Sequence, residues 1–381
     1  MLNFSLSQEQ QMLVETARRF AREQIAPRAA ECDRESKFPH DVYKKAHEIG
    51  LVVPEIPAEY GGAGMGVLDN CLVIEEMNWG CSGIATSIAA TSLAAAPVIL
   101  GGSEEQKKKY LGLLAREGGY ASYATTEPDA GSDVAGLKTK VVKHGDEFVL
   151  NGQKCFITNA SFANWSVVFA TVDPASRHKG IMAFIVPMDA PGVRVGKKED
   201  KLGQRASDTA TIHLDDVKLG REHLLAPEGH GFKLAMRTFD RTRPWIGAGA
   251  VGIMRRCLDE CTTYARDRKT FGVPIGQHQA VQFMLAEMAI KIEATKLLVH
   301  KAAWLLDNDP NPSSLVSSVS KAFGGDSAMQ VATDAVQVFG GNGFMKDYPV
   351  EKLMRDAKIL QIYEGTSQVQ RMVIARQILG L

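Results

Sequence analysis

The residue best suited to chemistry stands near the C-terminal end, in the run Met354-Arg-Asp-Ala-Lys-Ile-Leu-Gln-Ile-Tyr-Glu364-Gly-Thr-Ser-Gln. Its carboxylate sits between an apolar stretch and a Gly-Thr-Ser turn, close to the start of a helical pattern. Apolar neighbours such as Ile362 and Tyr363 would withhold water from the ionised form, raising the pKa towards what a general base needs near neutrality. A solvated glutamate in the first turn of a helix fits the same residues, and the local pattern leaves both readings open. A second stretch, Tyr123-Ala-Thr-Thr-Glu-Pro-Asp-Ala-Gly-Ser132-Asp, reads as a strand ending in a turn. Free backbone N–H groups and hydroxyls there would suit a ligand, and a plain tight turn suits the residues equally.

Arg266-Asp-Arg-Lys-Thr-Phe-Gly272 follows a long helical pattern. Arg268 and Thr270 offer the charge and hydroxyl that hold a pyrophosphate, although basic residues also complement the end of a helix dipole. Asp334-Ala-Val-Gln-Val-Phe-Gly-Gly-Asn-Gly343 ends a helix in glycines, which either cap it or let the backbone approach a ligand. Gly61-Gly-Ala-Gly-Met-Gly66 has neither the GxGxxG spacing nor a preceding strand, so it reads as a plain loop. Nine histidines are scattered without metal-ligand spacing, and no metal site is expected.

The elements that must carry these residues follow from periodicity. Ser7 with Gln10 and Ser103 with Gln106 have capping-box spacing. Helical patterns cover the start of the chain, 68–79, 84–96 and 107–115. From Tyr120 to about Leu225, β-branched and alternating residues dominate, with His144-Gly-Asp and Asn151-Gly as hairpin turns. An antiparallel β domain, a small barrel, is expected there. Helical period returns at about 230–267, 279–308, 313–338 and 347–377, with Asp309-Pro-Asn-Pro among the breaks, as in a four-helix bundle. The expected class is mainly α with a central antiparallel β domain: helical 1–119, β 120–228, helical bundle 229–381.

The 381 residues exceed the size at which one core usually keeps growing. Forty-four basic residues balance 44 acidic ones, which argues against bulk attraction to nucleic acid or anionic membrane. The six cysteines form no CxxC pair and read as buried small hydrophobes in a reducing compartment. The first residues lack a basic, then apolar, secretory pattern, and Ile84–Leu100 is Ala-rich and interrupted by Pro97. The expectation is a cytoplasmic protein without a membrane span.

In this order the segments resemble the acyl-CoA dehydrogenase family, nearly end to end. Thr126-Glu-Pro-Asp-Ala-Gly-Ser-Asp, Gly152-Gln-Lys-Cys-Phe-Ile-Thr-Asn, Asp267-Arg-Lys-Thr-Phe-Gly, Gly340-Gly-Asn-Gly and Tyr363-Glu-Gly-Thr-Ser-Gln carry the resemblance. Phe239-Asp-Arg-Thr-Arg-Pro and Asp347-Tyr-Pro-Val-Glu-Lys bring it closest to the medium-chain branch.

The resemblance implies roles by position. FAD is the implied cofactor. Tyr123, Thr125, Thr126, Gly131 and Ser132 would line the flavin and the thioester end of the substrate. Phe156, Ile157 and Thr158 would pack on the flavin ring, with Phe156 where the family usually has Trp. Arg268, Thr270, Phe271, His278, Gln279, Gln337, Gly340 and Gly341 would hold the pyrophosphate and adenine, several from a neighbouring subunit; Thr366 and Gln368 would add FAD contacts. Asp240, Arg243, Tyr363 and Gly365 would meet the acyl-CoA, and Glu364 would be the base. Thr242 stands where some relatives carry the base instead. An electron-transferring flavoprotein is the implied electron acceptor and a homotetramer the implied assembly.

Glutaryl-type relatives hold a distal carboxylate with an arginine near Ser87–Pro97, and no Arg or Lys lies there, so the resemblance disfavours a dicarboxylate. Ala89, Ala90 and Ala94–Ala96 would leave lateral room, and Trp245, where the family commonly has a small aliphatic residue, would shorten or flatten the pocket. These residues suggest a short- or medium-chain, branched or alicyclic acyl group. The enoyl-CoA reductase direction, an acyl-CoA oxidase and a non-catalytic scaffold are the competing readings.

Overall fold

Ser7 opens the first helix as its spacing predicts: its hydroxyl accepts from Gln10 N, and the Gln10 side chain accepts from Ser7 N, each at 3.1 Å. The computed structural model describes residues 5–309 and 314–381. Residues Met1–Phe4, and Pro310–Pro312 of the expected interhelical break, lie outside the described residues. The N-terminal helices are α1 (Gln8–Phe20), α2 (Ala29–Glu35), α3 (His40–Glu48), α4 (Val67–Gly80), α5 (Ser82–Gly101), α6 (Glu104–Gln106) and α7 (Gly112–Glu117). Ser103 caps α6 with the same reciprocal pair, and the Gln106 amide reaches Glu222 O and Leu224 O at 2.9 and 3.0 Å. The single helix expected over 107–115 is instead widened into a π-type turn over Lys107–Leu111 before α7. By length and composition α5 could cross a membrane, yet most of it is buried inside the protein.

The strands are β1 (Ala121–Ala124), β2 (Lys140–His144), β3 (Glu147–Thr158), β4 (Trp165–Thr171), β5 (Ile181–Pro187), β6 (Val193–Lys198), β7 (Thr209–Gly220) and β8 (Leu224–Ala226). Their order is β6-β7-β3-β2-β4-β5-β8, with β1 beside β4. This corrects the antiparallel barrel in two respects. The sheet is mixed, because β1 runs parallel to β4 and β2 meets β4 in parallel at Lys140↔Thr171. It also does not close, since β6 and β8 are its unpaired ends. Alternation reports which residues face a core, not the direction of the neighbouring strand. His144-Gly-Asp makes the expected hairpin, but Asn151-Gly152 is a bulge inside β3 rather than a turn. Gly152, at φ 155°, passes so close to Thr139 that a Cβ would lie 2.6 Å from its hydroxyl.

The C-terminal part holds three long helices, α8 (Gly231–Asp267), α9 (Gln279–Asn308) and α10 (Ser314–Phe339). A short hairpin of β9 (Lys269–Thr270) and β10 (Val273–Pro274) separates α8 from α9. Buried Glu75 and Glu76 of α4 pair with Arg255 of α8 at 2.6 and 2.8 Å, and Arg18 of α1 joins Glu76 at 2.9 Å. A Cβ on Gly252 of α8 would lie 2.2 Å from Glu75 O, so glycine is what lets these helices touch. The expected fourth helix over 347–377 is broken. It becomes α11 (Val350–Ala357), a 3₁₀ turn Lys358–Gln361, a loop, and α12 (Ser367–Leu379). The break contains Glu364 and Gly365, both at positive φ, which no right-handed helix accommodates.

Candidate active site

Glu364 reaches its position through left-handed backbone, φ 57° at Glu364 and 86° at Gly365. Such a conformation at a non-glycine residue costs about 1–3 kcal/mol and persists only when the surroundings enforce it. Here Lys321 of α10 donates to Gly365 O, and Gln370 of α12 donates to Glu364 O and Gly365 O, each at 3.0 Å. Asp326 of α10 accepts from Gln361 Nε2 at 2.8 Å and from Ser367 Oγ at 2.9 Å, gripping the loop on both sides. Thr366 caps α12, its hydroxyl accepting from Val369 N at 3.1 Å.

The Glu364 side chain points at α8, where Thr242 Oγ1 lies 2.8 Å from Oε2. It is half-buried and closely packed, and loss of water pushes its carboxyl up to about 7. The Thr242 hydroxyl and the nearby charges of Arg243 and Lys321 pull the other way without overcoming that cost. A carboxylate in this state exchanges protons near neutrality, as a general base must. Its backbone N–H has no acceptor among the described residues. Arg243 is buried and pairs with Asp240 at 2.6 Å, while burial still raises the Asp240 carboxyl. Tyr363 meets Gln204 Nε2 at 3.4 Å, and burial pushes its phenol up to about 12.

On the sheet side, β1 carries Tyr123, its ring 5.6 Å from Phe239 of α8 and 5.2 Å from Phe169. The Tyr123 hydroxyl and Thr125 Oγ1 are buried without a well-formed hydrogen bond. Gly131 and Ser132 are exposed in the following turn. Glu127 anchors that turn from beneath: it accepts from Lys154 Nζ at 2.6 Å and from Thr139 N at 2.9 Å, and Lys154 also donates to Thr125 O. Lys154 and its surrounding hydrogen bonds hold the Glu127 carboxyl below its ordinary value despite burial. The register shift between Lys154 and Ile157 in β3 leaves Phe156 at φ 59° and 65% exposed, while Ile157 enters the core and Thr158 stays half-buried.

A second group gathers at the far end of α8. Thr270 Oγ1 lies 2.9 Å from His278 Nε2, and Phe271, at φ 52°, is 96% exposed. Arg268, Gln279, Gln337, Gly340 and Gly341 are exposed as well. Nothing lies within 4 Å of where a Cβ on Gly340 or Gly341 would stand. Tyr264 stacks on Phe339 at 4.0 Å and so joins the ends of α8 and α10. Arg268 follows Thr242 by 26 residues of α8, about 40 Å at 1.5 Å per residue. One chain therefore does not bring this group to Glu364. Thr366 stays near Glu364, with its hydroxyl engaged as a cap, and Gln368 is exposed on α12.

Sequence reasoning missed Lys321, Asp326, Gln370 and Gln204. Lys321 left one signal, a lone charge in the small-residue run Ser317-Ser-Val-Ser-Lys-Ala-Phe-Gly-Gly. The other three depend on contacts that no local pattern encodes.

Family profiles match the chain in three consecutive parts: acyl-CoA dehydrogenase N-terminal domain over 7–118, middle domain over 122–217 and C-terminal domain over 229–379. A "Probable medium-chain specific acyl-CoA dehydrogenase 2, mitochondrial" of Caenorhabditis briggsae is 47% identical, covering 100% of this chain and 92% of the relative. The solved butyryl-CoA dehydrogenase of Megasphaera elsdenii is 37% identical with a TM-score of 0.96, over 99% of this chain and 100% of the other. A chain solved in work on the electron transferring flavoprotein of Acidaminococcus fermentans has 42% identity and a TM-score of 0.96, over 99% and 100%. With its fold, its profile matches and these relatives in agreement, the chain belongs to the acyl-CoA dehydrogenase family of oxidoreductases.

Proposed function

We propose that this protein is an FAD-dependent acyl-CoA dehydrogenase that converts an acyl-CoA to the 2-enoyl-CoA, with Glu364 as the base. The observation carrying this reading is the half-buried Glu364 carboxyl, raised to about 7 and held by Thr242 on a strained turn. In the ionised form it takes the α-proton of the thioester. The free Glu364 N–H donates to the thioester oxygen as negative charge develops there; a preorganised donor of this kind is worth about 3–4 kcal/mol. FAD, when bound, supplies the acceptor at N5 for the hydride leaving Cβ.

The buried Tyr123 and Thr125 hydroxyls, neither in a well-formed hydrogen bond, fit a flavin and thioester beside them, with Thr126, Gly131 and Ser132 in the same wall. Phe156, Ile157 and Thr158 would flank the ring, and Thr366 and Gln368 would add contacts. Asp240 and Arg243, with Tyr363 and Gly365, would meet the CoA thioester. The group Arg268, Thr270, Phe271, His278, Gln279, Gln337, Gly340 and Gly341 is too far from Glu364 to serve the same FAD, so it would complete the site of a second copy. The exposed apolar series Phe283, Ile290, Leu297 and Trp304, one every seventh residue of α9, supports a homo-oligomer, which we take to be a tetramer.

For the acyl group we retain a short or medium, branched or alicyclic chain: Trp245 is buried on α8, and α5 carries no cation over 87–97. We place the protein in the cytoplasm, with an electron-transferring flavoprotein as electron acceptor. Anaerobic titration with a panel of CoA thioesters tests the reading. Flavin bleaching with branched or alicyclic esters supports it, and preference for long linear chains contradicts the substrate assignment. Rapid oxygen uptake in place of electron transfer to the flavoprotein would make it an oxidase.

A further inference from the structure

Lys321 is the cation that the proposed chemistry leaves unused. It is fully buried in α10, forms no ion pair among the described residues, and commits its ammonium to one backbone carbonyl, that of Gly365. An unpaired buried cation is costly, so a protein that keeps one has a use for its charge or its reach. The backbone is shaped to allow the contact. A Cβ on Gly325 would stand 2.7 Å from Leu360 O, so only glycine brings α10 this close to the loop bearing the base. Five residues along α10 from Lys321, Asp326 grips the flanks of that loop through Gln361 and Ser367.

We propose that Lys321 is a positioning residue for Glu364: it pins the Gly365 carbonyl, which fixes the left-handed turn from which both the carboxylate and the Glu364 N–H project, and its charge favours the ionised base. The inference rests on Glu364 being that base. Burial lowers the Lys321 ammonium to about 8, so it stays charged at neutral pH, and its field draws the Glu364 carboxyl downward against desolvation. The other groups facing Glu364 are Thr242 and Arg243 from α8, the latter paired with Asp240, Tyr123 from β1, and Tyr363 beside it; Asp326 acts on Lys321 itself. Of the cations, only Lys321 also touches the backbone of the turn.

The test uses full-length, flavin-loaded protein, mixed anaerobically with butanoyl-CoA or octanoyl-CoA from pH 5.5 to 9 while flavin reduction is followed. In Lys321→Met the limiting rate should fall about 100-fold, the usual consequence of misplacing a reacting group by an ångström. Its acid limb should move up by about one pH unit, because a carboxylate that loses a neighbouring cation holds its proton more tightly. Lys321→Gln keeps a donor but no charge, so it should show the same limb shift with a smaller rate loss; it also serves if Lys321→Met does not fold. Lys321→Arg should restore the limb. An unmoved limb in Lys321→Met and Lys321→Gln overturns the proposal whatever happens to the rate, since a merely structural lysine would leave the limb alone. Glu364→Gln run in parallel separates the two claims: normal flavin reduction in that variant refutes the base itself and takes this inference with it.

Discussion

Glu364 costs the folded chain stability when it ionises. Its carboxyl is raised to about 7, against about 4.3 in an unfolded chain, so the folded state binds that proton more tightly. The contribution therefore favours folding at low pH and is lost as pH rises through 7. Glu364→Gln should raise the free energy of unfolding, measured by chemical denaturation, more at pH 8 than at pH 5, by a difference on the order of 1–2 kcal/mol after allowing for partial solvent access. Equal gains at both pH values would show that the carboxyl is not perturbed. Thr242→Val removes a hydroxyl that favours the ionised form and should move the acid limb of flavin reduction upward; a downward shift would contradict the assigned hydrogen bond. At this scale the chain was legible in part. Tyr363-Glu-Gly-Thr-Ser marks an apolar run, a carboxylate and a turn, and the structure supplies that surrounding. Lys321 and Gln370 were not legible, because what they hold is a backbone carbonyl 44 and five or six residues away.

Elements carry the next set of consequences. Periodicity showed the helical and β stretches, and both capping boxes formed where Ser7 and Ser103 place them. It erred where one residue overrides a pattern. The apolar repeat through 347–377 continues past Glu364, yet the positive φ there and at Gly365 divides the segment into α11 and α12. Alternation in β1 likewise gave no hint that this strand would pair in parallel with β4. Gly365→Ala tests the break: at φ 86°, and with its new Cβ 2.4 Å from Gln370 Nε2, it should lose about 1–3 kcal/mol of stability and most flavin reduction. A variant as active and stable as the parent would mean the turn is not constrained. Beneath the Thr126–Ser132 turn, Lys154→Met strands Glu127 as a buried, unpaired carboxylate and should destabilise by about 3–5 kcal/mol in chemical denaturation. A loss below about 1 kcal/mol would show the pair to be solvated.

At the scale of the whole molecule, the distance between Thr242 and Arg268 along α8 decides how the site is assembled. On the proposed reading, a cofactor beside Glu364 does not also lie against Arg268 and Gly340 of the same chain, and those residues would complete the site of a second copy. Arg268→Ala should then weaken FAD retention while leaving the environment of Glu364 intact; unchanged flavin content after dialysis would contradict that division. The central claim is that Glu364, ionising near neutrality, removes the α-proton. Its most direct test is the pH dependence of anaerobic flavin reduction by butanoyl-CoA or octanoyl-CoA in the parent and in Glu364→Gln. The parent should lose rate on acidification through an apparent pKa near 7, and Glu364→Gln should retain FAD yet bleach at least about 1,000-fold more slowly. Reduction at the parent rate in flavin-loaded Glu364→Gln, with the same acid limb, would contradict it.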